Sequence, residues 1–82
     1  MMTDKHVWFV PTVGDWVMTK TKRIGVIVFV DKQIQGNMYL YFPEGNSRSY
    51  RLEFLTLLEP PMQKLLTSAN EEFYKETFKK GY

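Results

Sequence analysis

Residues 13–30 read VGDWVMTKTKRIGVIVFV: a short strand, a basic turn and a second strand. A strand points alternate side chains to opposite faces, so a sheet with one buried face leaves polar residues at every other position. Here Val17, Thr19, Ile27 and Phe29 share one parity, while Trp16, Met18, Val26 and Val28 share the other. Both sets are largely apolar. A second layer must cover the second face, or part of that face remains as a surface for something else.

Downstream, the polar loop DKQIQGN at 31–37 ends in Gly-Asn, a pair suited to positive φ. MYLYF then alternates, with Met38, Leu40 and Phe42 on one face and Tyr39 and Tyr41 on the other. PEGNS forms a turn, and RSYRLEFLTLLE holds two short strands, near 49–51 and 56–58, around a tight turn at 52–54. Upstream, Gly14-Asp15 turns the chain into the first strand, and Pro11 closes the extended segment VWFV at 7–10.

At Pro60-Pro61 the period changes. Proline is tolerated in a first helical turn, and Met62, Leu65, Leu66, Ala69 and Phe73 then follow helical spacing, with Tyr74 and Phe78 widening the stripe. Glu71/Lys75 and Glu76/Lys80 are favourable i, i+4 pairs, and SANE at 68–71 fits a capping box at which the helix breaks or restarts. The expected organisation is one domain: a flexible N-terminus at 1–6, a five-stranded β unit at 7–59 and a C-terminal amphipathic helix at 60–82.

The chain has 82 residues, 44% of them hydrophobic and 24% charged, a composition that folds. It has no cysteine and a single histidine, His6, which leaves no disulfide framework, thiolate site or multi-histidine metal site. No metal or cofactor is expected. Residues 26–30 form the longest apolar run, too short to cross a bilayer, and the opening MMTDKH lacks a signal-peptide pattern, so a cytoplasmic protein off the membrane is expected. A net charge of +2 permits an anionic partner without demanding one.

With VGDWV, IGVIVFV, MYLYFPEG and YRLEFLTLLE in this order, the chain resembles the small SH3-like β-barrels of the KOW and Tudor type. Gly14-Asp15 ahead of a strand, Gly25 at the start of the second strand, Glu44-Gly45 in a turn and Leu55 to Leu58 in the last strand carry the likeness. It also resembles the Tudor-like barrels of CarD proteins and of the tail of UvrD-type helicases. That resemblance implies a mainly β, five-stranded SH3-like barrel, with the helix packed on it, that docks onto RNA polymerase or a related machine through an exposed strand. TKTKRIG stands where those barrels carry a histidine and a second glycine in the first hairpin.

Catalysis is not expected: Ser47, Ser49 and Ser68 have no histidine to activate them, and no glycine-rich phosphate loop is present. Three binding readings remain. A protein partner would dock on aromatic and apolar residues of the second face and its rim: Trp16, Met18, Tyr39, Tyr41, Trp8 and Phe78. Nucleic acid would instead bind Lys20, Lys22, Arg23, Lys32, Arg48 and Arg51, with tyrosines stacking on bases. A structural subunit would bury the same patch in a homodimer. Against all three stands the reading in which the C-terminal helix covers the second face and the lysines only keep the surface soluble.

Overall fold

The first hairpin forms where the β-branched and aromatic residues concentrate. In the computed structural model, which describes residues 10–79, β1 (Trp16–Thr19) pairs antiparallel with β2 (Ile24–Val30). Thr19 closes the turn: its N–H donates to the Arg23 carbonyl at 2.8 Å and its hydroxyl accepts the Arg23 N–H at 3.1 Å. Three further strands follow: β3 (Asn37–Tyr41), β4 (Ser47–Arg51) and β5 (Leu55–Leu57), with a short 3-10 helix at Leu52–Phe54 before the last. They form one antiparallel sheet in the order β4-β3-β2-β1-β5, so the last strand returns to pair with the first.

Both parities are buried, in two separate clusters. Val17, Ile27, Met38, Leu40, Phe42 and Leu55 pack together, with Val30, Tyr50 and Leu52 against them. All of these come from the strands, the residue after β3 and the 3-10 helix, so the β portion supplies this cluster without the C-terminal helices. Trp16, Val26 and Val28 form the second cluster, under Leu66, Phe73, Tyr74 and Phe78 of the C-terminal segment. Each large side chain covered in this way contributes about 1.5–3 kcal/mol, which a domain this small needs. The chain brings the lid for its second face.

The lid is two helices, α1 (Pro60–Ala69) and α2 (Glu71–Lys79), broken at Asn70. Asn70 leaves helical geometry at φ −122°, and both its backbone N–H and its side-chain amide donate to the Leu66 carbonyl at 3.0 Å. The break falls within the predicted capping box. It also divides the predicted stripe, because Met62 and Leu65 are 42% and 61% exposed and Ala69 is exposed as well. Leu66 of that stripe does meet the sheet, with Gln63 and Thr67 beside it. Among the described residues, no helix is long and apolar enough to cross a membrane.

Candidate functional site: the uncovered end of the second face

Trp16 organises the covered part. It is fully buried, with its ring stacked on Tyr74 at 6.1 Å and tilted against Phe73 at 6.2 Å. Its indole N–H donates to the Thr67 hydroxyl at 3.0 Å. Its backbone lies at the point where β5 leaves the sheet, and there Gln63 substitutes for a neighbouring strand. The Gln63 carbonyl oxygen accepts the Trp16 N–H at 2.7 Å, and its amide donates to the Trp16 carbonyl at 2.7 Å and the Leu58 carbonyl at 2.9 Å. Tyr74 fixes the other side by donating to the Gly14 carbonyl at 3.0 Å. Gly14 holds φ +101°, and a Cβ there would lie 2.9 Å from the Tyr74 oxygen, so both the turn and the close approach require glycine. Gln63→Leu is expected to keep the fold but lose about 1–3 kcal/mol, because the Trp16 amide is left without its acceptor. Urea unfolding measures this, and an unchanged midpoint would contradict the strand-like role of the side chain.

The helices stop short of the far end of the face. Between Ile27 and Phe29 the β2–β3 register shifts, so that Ile27 opposes Leu40 and Phe29 opposes Tyr39. This bulge turns Phe29 out of the parity of Ile27 and onto the helix-bearing side beside Tyr39. The two rings meet edge to face at 5.7 Å and remain 50% and 43% exposed. Val28, Phe29, Tyr39, Tyr41 and Ser47 line a shallow depression of about 440 Å³.

This depression borders the open edge of the sheet. The Phe42 N–H donates to Asn46 and the Asp31 N–H donates to the Asn37 carbonyl. Alternation from these bonds makes Leu40–Arg48 and Met38–Tyr50 the hydrogen-bonded pairs of β3 and β4. The backbone N–H and C=O groups of Ser47, Ser49 and Arg51 therefore point away from β3, and no further strand pairs with β4 among the described residues. Ser47 and Ser49 stand opposite Tyr41 and Tyr39 on the aromatic side, and their small side chains leave the rings accessible.

The expected docking residues are thus redistributed. Tyr39 lies in the depression and Tyr41 on its wall. Trp16 is a core residue with no exposed surface, which corrects its expected place in a docking face: the helices and Gln63 enclose it. Met18 is half-buried, opposite Ile24 and Thr56, and Phe78 belongs to the lid itself, packed against the Trp16 cluster with its ring centroid 4.7 Å from that of Tyr74. Trp8 lies outside the described residues. Phe29 was missing from the expected set, since parity alone assigns it to the opposite face.

The basic residues do not converge. Arg23 is committed to the fold: both its Nε and its terminal nitrogen donate to Glu44, at 3.0 and 2.7 Å, while its guanidinium lies 4.0 Å over the Phe42 ring. Lys22 occupies the left-handed region at φ 69° in the turn, and the Lys20 ammonium lies 5.1 Å over the Phe54 ring. Lys32 belongs to the β2–β3 loop, at the opposite end of the sheet from that turn. Arg51 sits at the same end and pairs with Glu53 at 3.5 Å. Arg48 is exposed at the β4 edge, opposite Leu40, with no ion-pair partner among the described residues. Among the described residues, no group of three or more His, Asp or Glu side chains gathers as a metal cluster would.

Three carboxyl groups shift from their ordinary range. The Asp31 carboxylate accepts the N–H groups of Gln33 and Ile34 at 2.8 and 3.2 Å, which lowers its pKa, and the Arg23 hydrogen bonds lower that of Glu44. Burial raises Asp15, and burial together with the Asp15 charge raises Tyr74. A folded pKa below the unfolded value stabilises fully above that unfolded value and is lost as pH falls through the folded pKa. The melting-temperature deficit of Asp31→Ala is therefore expected to be largest at neutral pH and to shrink as acid protonates the carboxylate. A deficit that does not change with pH would contradict this account of the loop.

No family model matches the chain, and no curated protein or solved structure shows significant similarity to it.

Proposed function

We propose that the chain is a non-catalytic docking module, an SH3-like small barrel with a helical lid, that binds a protein partner through the uncovered aromatic end of its second face and the edge of β4. The observation that carries this reading is the pairing of exposed Phe29 and Tyr39 with unpaired strand backbone in one place. Contiguous exposed rings beside a sheet edge supply the two elements of strand addition: main-chain hydrogen bonds for affinity and an apolar recess for selectivity. The SH3-like assignment draws on the return of β5 to β1 and on a core cluster supplied by the β portion without the helices. A partner in transcription, replication or translation follows from the likeness to the KOW and Tudor barrels. Direct nucleic-acid binding has weaker support, because Arg23 and Arg51 are paired with carboxylates and the basic residues occupy both ends of the sheet.

The test is affinity capture from a lysate of the source cells, with and without nuclease, using Phe29→Ser/Tyr39→Ser and Lys20→Glu/Lys22→Glu variants. Both pairs lie on the surface, where substitutions usually change stability by no more than about 0.5 kcal/mol. The expected result is a nuclease-resistant complex lost with the aromatic pair and retained with the lysine pair. Recovery that disappears with nuclease or with the lysine reversals would overturn the docking reading in favour of nucleic acid.

A further inference from the structure

We propose that the β4 edge takes an extended segment in which apolar and acidic residues alternate. This rests on the docking reading above and adds the chemistry of the partner. A strand laid along β4 bonds to the outward backbone of Ser47, Ser49 and Arg51, which fixes the faces its own side chains take. Residues opposite Ser47 and Ser49 lie on the helix-bearing side, over two small side chains and toward Tyr41 and Tyr39. That position suits valine, isoleucine or leucine. The residue between them turns to the other side, beside Arg48, which is exposed and has no ion-pair partner among the described residues. A carboxylate there completes a cross-strand charge pair.

The strand SRSYR carries two arginines and no acid, so charge selects among extended segments. A second copy of this chain is a poor occupant for the same reason. Antiparallel pairing about Ser49 places two Arg48 side chains on one seam and provides neither with a carboxylate.

The experiment uses the full chain, labelled with nitrogen-15, titrated with two seven-residue peptides that alternate valine with glutamate or valine with lysine. The glutamate peptide is expected to shift the Ser47, Ser49 and Arg51 amides and slow their exchange, while the lysine peptide binds more weakly. Arg48→Glu is expected to weaken the glutamate peptide roughly fivefold and strengthen the lysine peptide, as a charge swap at an exposed pair does. Equal binding of both peptides along β4, unchanged by Arg48→Glu, overturns the acidic preference and leaves the docking edge standing. No shift at β4 with either peptide up to millimolar concentration overturns both. Slow exchange of the same amides without peptide, growing with protein concentration, overturns the proposal in favour of a second copy.

Discussion

Trp16→Ala is expected to leave the chain largely unfolded at 25 °C. Truncating a buried tryptophan costs about 3–5 kcal/mol, and domains of this size hold toward the lower end of a total of roughly 5–15 kcal/mol. The loss exceeds that of an ordinary core residue because Trp16 joins the two layers. Its ring is the floor on which Phe73 and Tyr74 rest, and its indole N–H holds Thr67 of α1. Trp16→Phe separates these roles: it keeps a ring but leaves the Thr67 hydroxyl without its donor. This variant is expected to fold and to melt about 4–8 °C lower for each kcal/mol lost. Circular dichroism melting reads both, and a cooperative Trp16→Ala transition within a few degrees of the parent would contradict the central place of this residue.

Gly25→Val is the second large effect, and crowding rather than backbone conformation causes it. A Cβ at Gly25 would lie 2.9 Å from two carbons of the Phe42 ring and 2.9 Å from the Tyr41 carbonyl oxygen. Neither neighbour can give way easily. Phe42 is fully buried beneath the Arg23 guanidinium, and the Tyr41 carbonyl belongs to β3. Gly25→Ala is expected to cost about 1–3 kcal/mol and Gly25→Val more, by forcing β2 and β3 apart. Urea midpoints of the two variants should fall in that order. A midpoint for Gly25→Val equal to that of the parent would contradict the packing described here.

Much of the framework could be read from residue patterns, because each relevant signal was local. The β-branched run at 24–30 produces β2, and Leu52–Phe54 forms the tight turn between two short strands. The change of period at Pro60 marks the helical segment, and the capping-box motif marks its break. Two apolar parities correctly signalled two buried faces. What escaped the sequence depended on distant neighbours. The bulge at Phe29 arises from the pairing of β2 with β3, so the parity rule assigned that ring to the wrong face. Of the expected stripe on α1 only Leu66 packs on the Trp16 cluster, while Met62 and Leu65 are exposed and the amide of Gln63 and the hydroxyl of Thr67 make the remaining contact with Trp16. No periodicity identifies a glutamine that takes the place of a strand. The basic residues looked like a cluster because three of them share one turn, yet Glu44, 21 positions away, claims Arg23.

The most direct test of the account is native-state amide hydrogen exchange, resolved by residue, on the free chain. Trp16 sits beneath the lid with its N–H held by Gln63, and Arg48 and Tyr50 bond into β3. These three amides are expected to exchange slowly, near the rate set by global unfolding. Ser47, Ser49 and Arg51 point their N–H groups to solvent along the uncovered edge, and they are expected to exchange orders of magnitude faster than their immediate neighbours. That alternation along five residues is the signature of a lidded sheet whose β4 edge is unpaired. Fast exchange at Trp16, or slow exchange at Ser47, Ser49 and Arg51 in the dilute free chain, would contradict it.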